Sequence, residues 1–231
     1  MNAIAIIPAR GGSQRIPRKN LIDLGGRPLI AWTINAALEA DCFANVIVST
    51  DDEEIAEAAR SVGAEVPFLR PQYADGFSPA SDATRLALKQ AEAWSEARYD
   101  VVCQLMATTP FRTASDIHKA MSEFAASGAP AQLSCVGFDW LNPWWAVTLD
   151  DGRRPKPLFP DKRFARSQDL EPVYAPSGAI WIAQCEVLRK ECTFYAKDHR
   201  YCPISWRSGL DIDTPEDLEL ARQLLRGDDT A

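Results

Sequence analysis

Short, uninterrupted apolar runs alternate with helix-like segments along most of the chain, and this alternation limits the fold more than any other feature. One run covers residues 3–7 and ends at Pro8, and a second lies at 46–50. Runs without polar alternation are typical of strands that are buried on both faces. Between them, apolar residues at three- and four-residue spacing predict a helix that begins near Pro28. Strand, helix and strand together predict a βαβ unit.

The same alternation continues towards the C-terminus. It predicts further strands at 64–68, 99–106, 131–137 and 177–183, and further helices at 52–62, 81–97, 113–126 and 215–225. Such an order is typical of an α/β fold with a doubly wound, mostly parallel sheet of the Rossmann-like type. We expect a single domain that covers residues 1–231.

Residues 138–176, called the arm below, interrupt this order. Tryptophans at 140, 144 and 145 and several prolines lie there among basic residues, without a helical period. The pattern predicts an arm inserted into the domain. For the tryptophans, packing or a subunit interface is favoured over stacking on a base. Arm cations such as Arg166 would suit a carboxylate-bearing substrate, although solvated surface charge explains most of them.

Charge and hydropathy exclude several classes of protein. The chain has 25 basic and 32 acidic residues, a net charge of −7, so no general attraction to nucleic acid or to anionic membranes is expected. The apolar run at the N-terminus is too short for a signal sequence, and no stretch approaches the roughly 18 apolar residues of a membrane span. We expect a cytoplasmic protein whose six cysteines are reduced.

A basic, glycine-containing loop follows the first predicted strand. Within residues 10–20, called the basic loop below, two glycines accompany four cations: Gly11, Gly12, Arg10, Arg15, Arg18 and Lys19. Backbone N–H groups near glycines and clustered cations suit a polyphosphate, and α/β sheets bind ligands at this end of their strands. The spacing fits neither the P-loop nor the dinucleotide fingerprint. The alternative is a basic surface loop that uses glycines for turning.

Two aspartates precede the last predicted helix. Asp211 and Asp213 are two residues apart in an extended segment, so both carboxylates can point to one side and share a hard cation such as Mg²⁺. The alternative is a well-formed helix start, with Thr214 as cap and Pro215 in the first turn. Capping does not require Asp211, which favours the metal site.

Several motifs together resemble the acylneuraminate cytidylyltransferases, a family with enzymes for sialic, legionaminic and pseudaminic acids. The resemblance begins with IPARGGS at 7–13 and PRKN at 17–20. It continues through segments 48–51, 68–71, 108–112, 166–170, 177–180 and 211–214, and so spans essentially the whole chain.

The resemblance implies an activity, a cofactor and partners. The expected reaction transfers CMP from CTP to the anomeric hydroxyl of a nine-carbon nonulosonic acid and releases pyrophosphate, with Mg²⁺ as cofactor. The family also implies a nucleotidyltransferase fold and a homodimer whose arm lends residues to the neighbouring site. The implied catalytic residues are Arg10, Lys19, Asp211 and Asp213, the last two as metal ligands. The implied substrate contacts are Gly12, Ser13, Asn20, Arg70, Arg166, Gln168 and Ser177.

Two departures from the family pattern bear on the acceptor sugar. Met106 stands where the sialic acid enzymes have a sugar-binding glutamine, and Ser177 stands where asparagine is common. Met106 argues against a sialic acid enzyme, and Ser177 together with segments 66–71 and 107–111 favours the pseudaminic acid enzymes. Segment 177–180 is closer to the sialic and legionaminic branch, so the acceptor stays open. The alternatives are a CMP-Kdo synthetase-like enzyme and a non-catalytic nucleotide-binding homologue.

Overall fold

Strands and helices alternate along the chain in the computed structural model, which describes residues 1–73, 79–138 and 141–228. The strands are β1 (Ala3–Pro8), β2 (Asp23–Leu24), β3 (Arg27–Pro28), β4 (Asn45–Ser49), β5 (Val101–Gln104), β6 (Ala131–Gly137), β7 (Val147–Leu149), β8 (Pro155–Pro157), β9 (Tyr174–Gln184) and β10 (Arg200–Pro203). The helices are α1 (Leu29–Glu39), α2 (Glu53–Ser61), α3 (Ala80–Ser95), α4 (Ala114–Ser127), α5 (Cys185–Glu191) and α6 (Pro215–Asp228).

Six of the strands form one sheet in the order β10-β6-β9-β5-β1-β4. β1 pairs in parallel with β4 and β5, and β10 pairs in parallel with β6. β9 is antiparallel to both of its neighbours, β5 and β6. Five strands therefore share one direction, and the predicted α/β fold with a mostly parallel sheet is confirmed.

Helices cover both faces of this sheet. Alternate residues of β1 enter two different cores, because successive side chains of a strand point to opposite faces. Ala5 and Ile7 pack with apolar residues of α1, α2 and α4. Ile4 and Ile6 pack with apolar residues of α3 and α5. Burial on both faces explains why the strand reads as an uninterrupted apolar run.

Local capping sets the ends of several helices. Thr113 and Asp116 form a capping box at the start of α4, and Gly128 ends that helix with a φ of 66°. At α6, the Thr214 hydroxyl accepts from the Asp217 N–H at 3.3 Å, and the Asp217 carboxylate accepts from the Thr214 N–H at 2.7 Å. The sequence indicated the capping role of Thr214, and the structure confirms it.

The predicted strand at 64–68 is wrong. Glu65 alone bridges to β4: its N–H donates to the Val46 carbonyl at 2.9 Å, and its carbonyl accepts from the Val48 N–H at 3.0 Å. Pro67 has no N–H with which to continue the ladder. α5 and β10 were not predicted from the sequence; they have seven and four residues, too few for a clear periodic pattern.

A large irregularity interrupts the pairing of β9 with β6. Leu133 pairs with Trp181 and Cys135 pairs with Pro176, so Ser134 alone faces the four residues 177–180, called the β9 bulge below. The Ser134 hydroxyl donates to the Ser177 carbonyl and accepts from the Ile180 N–H, each at 3.0 Å. A side chain thus replaces part of the missing backbone ladder.

The described part of the arm contains the β7–β8 hairpin and short 3₁₀ turns. The indole N–H groups of Trp144 and Trp145 donate to the carbonyls of Glu171 and Ala165, at 2.9 and 3.2 Å. These two tryptophans therefore brace the arm, while Trp140 lies outside the described residues. β9 begins at Tyr174, inside the predicted arm. Among the described residues, no helix is long and apolar enough to cross a membrane.

Candidate active site

A cleft of about 380 Å³ lies where the segments that follow β1 and β5 meet the segment before α6. This is the end of the parallel strands at which α/β sheets bind ligands. Its lining comes from the basic loop, from the segment after β5 and from the acidic pair. The lining residues are Pro8, Arg10, Ser13, Gln14, Arg15, Ile16, Lys19, Asn20, Met106, Thr108, Asp211 and Asp213.

The N-terminus of α2 holds the basic loop in place. The Gly11 N–H donates to Asp51 Oδ1 at 3.0 Å. A Cβ atom at position 11 would lie 2.6 Å from Asp52 Oδ2, so the loop approaches this closely only because residue 11 is glycine. Arg18 pairs with Asp52 and Glu54, so its charge is used to anchor the loop.

Asp213 brings the loop cations to the acidic pair. Lys19 Nζ lies 2.8 Å from Asp213 Oδ1 and Arg15 Nη1 lies 3.0 Å from Asp213 Oδ2. Lys19 also donates to the Ile212 carbonyl at 2.7 Å. The donated hydrogen bond and positive charge of Lys19 hold the pKa of Asp213 below its ordinary value. Residues almost 200 positions apart in sequence are thereby joined in one cleft.

Asp211 lies beside this ion-paired group in a different environment. The residue is exposed to the cleft, yet its carboxyl loses hydration to the protein around it, which raises its pKa. The negative charge of Asp213 adds to the rise, and a hydrogen bond with Thr108 opposes it. The Ile212 N–H donates to the Thr108 carbonyl at 2.8 Å, so the acidic segment is fastened to the segment after β5.

The two carboxylates fit a magnesium ion by their chemistry. No cluster of three or more His, Cys, Asp or Glu side chains suited to a metal occurs within 1–73, 79–138 and 141–228. Mg²⁺ does not need such a cluster, because it is usually bound by one or two carboxylates together with phosphate oxygens and water. Both oxygens of Asp213 contact cations, so Asp211 offers the more accessible ligand.

Six predicted site residues line the cleft: Arg10, Ser13, Lys19, Asn20, Asp211 and Asp213. The buried Asn20 amide donates to the Arg10 carbonyl at 2.9 Å, so it also shapes the basic loop. Gly12 is exposed in the same loop and is not among the lining residues. Arg70 is buried, close enough to Asp51 and Arg10 to feel their charges, and burial lowers its pKa. Two of its guanidinium nitrogens have no partner within the described ranges.

Three predicted substrate contacts lie away from this cleft. Arg166 and Gln168 are exposed in the arm, where Arg166 pairs with Asp169 at 2.7 Å. Ser177 is buried in the β9 bulge, and its hydroxyl accepts from the Ala179 N–H at 3.2 Å. Within one chain, these three residues do not join the acidic pair, and their roles stay predictions.

Two further lining residues have clear contacts: Arg15, which the sequence marked as a cation of the basic loop but not as an implied site residue, and Thr108, which it did not mark as a site residue. Arg15 belongs to the basic loop, and Thr108 follows β5 at the binding end of the sheet, so position was the available signal. Met106 lines the cleft and packs over Gly178, where an added Cβ would lie 3.0 Å from Met106 Cγ and 3.8 Å from Asp211 Oδ2.

Comparisons with known proteins agree with this arrangement. The profile of the family described as Cytidylyltransferase matches residues 4–141. The chain is 34% identical over 229 residues to the pseudaminic acid cytidylyltransferase of Campylobacter jejuni, which covers 98% of this chain and 97% of that one. It is also 34% identical over 236 residues to the CMP-N,N'-diacetyllegionaminic acid synthase of Legionella pneumophila, which covers 97% of each chain.

A solved structure shows the same fold. The synthetase of CMP-2-keto-3-deoxy-manno-octonic acid, complexed with CTP, superposes with a TM-score of 0.72 over 99% of this chain and 100% of that one. The two sequences are 21% identical, so this likeness concerns the fold alone.

Proposed function

This chain belongs to the cytidylyltransferase family and is a CTP-dependent enzyme of its nonulosonic acid group, and we propose that it transfers CMP to pseudaminic acid or to a legionaminic acid. One observation carries the proposal. In a single cleft, Lys19 and Arg15 contact Asp213, and Asp211 lies beside them. Cations for a triphosphate and carboxylates for a divalent cation thus meet at the binding end of the sheet.

In the proposed reaction, the anomeric oxygen of the acceptor attacks the α-phosphorus of CTP in line. A bond forms between the α-phosphorus and the anomeric oxygen, whose proton passes to solvent, while the bond between the α-phosphorus and the α,β-bridging oxygen breaks and pyrophosphate leaves with that oxygen. Such a transfer needs mainly positioning and stabilisation of charge. Lys19 and Arg10 line the cleft as candidates to neutralise the departing pyrophosphate.

Asp211 and Asp213 are the residues that would hold Mg²⁺. When bound, the ion neutralises phosphate charge and holds the phosphate oxygens in a fixed arrangement. Asp213 also orients Lys19 and Arg15 in the cleft, through contacts of 2.8 and 3.0 Å. Substitution of Asp213 is therefore expected to disturb both the metal and the cations.

Met106 supports an acceptor other than N-acetylneuraminic acid. Its side chain lines the cleft, at the position where the resemblance implies a sugar-binding glutamine in the sialic acid enzymes. The thioether of methionine accepts hydrogen bonds only weakly and donates none, whereas the amide of glutamine both accepts and donates hydrogen bonds. The two relatives described above are named for pseudaminic acid and for N,N'-diacetyllegionaminic acid.

Release of pyrophosphate from CTP, measured in the presence of Mg²⁺ with a panel of acceptors, tests the reaction and the acceptor together. The panel contains pseudaminic, legionaminic, N-acetylneuraminic and Kdo acceptors. We expect release with pseudaminic or legionaminic acid. Pyrophosphate release with Kdo alone would support a CMP-Kdo synthetase. Binding of CTP without pyrophosphate release in the presence of any acceptor would support the non-catalytic homologue.

Asp213→Ala separates the metal site from the helix-start alternative. We expect it to lower kcat at least about 100-fold at saturating Mg²⁺, with little change in unfolding temperature. Asp217→Ala is the matched control, because Asp217 accepts from the N–H groups of Thr214 and Asp213 at 2.7 and 3.0 Å. Loss of this cap should cost about 1 kcal/mol of stability but little turnover. Full turnover in Asp213→Ala would show that the metal assignment of Asp213 is wrong and would favour the helix-start alternative.

We further propose a homodimer that forms through the arm. Leu141, Leu149 and Leu158 are each more than half exposed there, and Phe164 is 88% exposed. Grouped apolar side chains on a surface are typical of interaction sites. The exposed Arg166 and Gln168 lie outside their own chain's cleft, which supports a role in a neighbouring one.

Light scattering after size-exclusion chromatography tests the dimer. Wild type should elute with twice the chain mass, and Phe164→Asp should shift towards the monomer. Trp94→Asp, at a 49% exposed position on α3 outside the arm, should leave the mass unchanged. A monomeric wild type would overturn the proposed dimer.

A further inference from the structure

Arg112 is a charged side chain buried completely inside the protein. It lies just before α4, is 2% exposed, and is among the largest fully buried side chains. Its guanidinium donates to Thr109 Oγ1 at 2.7 Å and to the Met106 carbonyl at 2.8 Å, and also to Thr33 Oγ1 and the Ala179 carbonyl. All four acceptors are neutral, and the negative charges of Asp211 and Asp116 act on the guanidinium without a described hydrogen bond to it.

The cation stays charged under ordinary conditions. Burial lowers the pKa of Arg112 to about 10, so the guanidinium is protonated at neutral pH. A neutral apolar side chain of similar volume would avoid the cost of burying this charge. It would also leave two backbone carbonyls and two hydroxyls without this donor.

The four acceptors belong to three segments that meet beneath the cleft. Met106 and Thr109 lie in residues 105–109, called the floor loop, which follows β5, whereas Ala179 lies in the β9 bulge and Thr33 in α1. The floor loop and the bulge also touch directly, since the Met106 N–H donates to the Gly178 carbonyl at 3.3 Å. The planar guanidinium reaches all three segments at once because its donors diverge in a fixed fork.

The floor loop carries the candidate acceptor side of the cleft. Met106 and Thr108 line the cleft, and the Thr108 carbonyl accepts from the Ile212 N–H at 2.8 Å. A shift of the floor loop would therefore move Asp211 as well. The basic loop contacts this acidic segment through Lys19, and it has further anchors of its own on Asp51, Asp52 and Glu54.

We propose that Arg112 is a positioning residue, whose guanidinium fixes the floor loop against the β9 bulge and so sets the positions of Met106, Thr108 and Asp211. The proposal rests on the proposed function, because the acceptor is taken to bind over this floor. None of the hydrogen bonds described for Arg112 reaches the basic loop, which is linked to the floor only through the contacts of Lys19 with the acidic segment. We therefore expect acceptor turnover to fall more than CTP affinity.

Arg112→Lys and Arg112→Met test this separation in the full-length protein. We expect Arg112→Lys to lower kcat/KM for pseudaminic or legionaminic acid at least about 30-fold, because an ammonium cannot span the four acceptors. The CTP dissociation constant, measured by calorimetry without acceptor, should change less than about 3-fold. Leu188→Ala is the control, since Leu188 is fully buried on α5 in a core away from the cleft. Leu188→Ala should lower the unfolding temperature but should not lower kcat/KM for the acceptor more than it weakens CTP binding.

Amide hydrogen exchange supplies a readout that needs no acceptor. In Arg112→Lys, peptides that cover 105–109 and 177–180 should exchange faster than in wild type, and Leu188→Ala should not show this. Unchanged exchange there, or equal losses of CTP affinity and acceptor turnover, would overturn the positioning role. If wild type turns over no acceptor in the panel, the proposed function fails, while the exchange experiment still decides the role of Arg112.

Discussion

The two walls of the cleft are held in place by opposite means. The basic loop uses ion pairs that remain partly in water: the side chain of Arg15 is 68% exposed and that of Asp213 is 50% exposed where they meet. The floor loop uses the fully buried Arg112, whose partners are neutral oxygens. Exposed ion pairs contribute little to stability, whereas a buried cation that is held by four acceptors is costly to disturb.

This difference indicates that the two walls have different roles: the basic loop can exchange contacts, and the floor loop keeps a fixed arrangement. We expect Arg15 to leave Asp213 for phosphate oxygens when CTP enters, because its side chain is largely exposed. The Lys19 side chain is only 12% exposed and also donates to the Ile212 carbonyl, so it is held more firmly. The floor has to keep one arrangement, since Asp211 and Met106 depend on it. We therefore expect substitutions to act differently according to the wall they change.

The largest effect is expected from Asp211→Asn. This change keeps the size of the side chain but removes the carboxylate that is exposed beside Asp213, and we expect kcat to fall at least about 1000-fold, by loss of a metal ligand. Turnover at saturating CTP and Mg²⁺ measures it. Asp41→Asn is the control at an exposed aspartate outside the cleft. Equal turnover in both variants would remove Asp211 from the catalytic centre.

An intermediate effect is expected from Gly11→Ala, which disturbs only the basic loop. The added Cβ would lie 2.6 Å from Asp52 Oδ2, so the loop must shift away from α2. We expect CTP affinity to weaken about 10- to 30-fold, a cost of about 1.4 to 2 kcal/mol. The control is Gly12→Ala, because nothing lies within 4 Å of a Cβ there. If Gly12→Ala weakens CTP binding as much as Gly11→Ala, the close approach of residue 11 to α2 does not explain the loss of affinity.

The smallest effect is expected from Arg15→Gln. Its ion pair with Asp213 is largely exposed, so the unfolding temperature should be nearly unchanged. We expect KM for CTP to rise about 2- to 5-fold at low salt and less at high salt, because exposed charges are screened. Kinetics at two ionic strengths measure this. A salt-independent loss of kcat would show that Arg15 belongs with the rigid floor.

Much of the fold was predictable because periodicity and caps are local signals. The apolar runs located β1, β4, β5 and β6, and Thr113 with Gly128 marked the two ends of α4. The direction of β9 was not predictable, because an antiparallel central strand has the same apolar pattern as a parallel one. Its bulge depends on Ser134 and Arg112, which are distant in sequence.

The charged residues of the candidate site could be predicted from the sequence, whereas the buried residues that hold them in position could not. The basic loop and the acidic pair were visible as clusters of ionisable residues, and the structure places five of these ionisable side chains in one cleft: Arg10, Arg15, Lys19, Asp211 and Asp213. The supporting role of Arg112 was hidden, since a lone arginine beside α4 resembles a surface residue until its burial is known. Ser177 is the opposite case. Its motif predicted a substrate contact, but within this chain its hydroxyl contacts the Ser134 hydroxyl and the Ala179 N–H.

The central position of β9 has a consequence for synthesis on the ribosome. β5 pairs with residues 181–184, so one edge of the β1–β4–β5 unit has no strand partner until about 80 further residues have been made. At usual elongation rates this delay lasts about 4 to 16 s. An unpaired apolar strand edge is prone to aggregate during that time. The nascent chain should therefore depend on chaperones more than a protein whose central strands are neighbours in sequence.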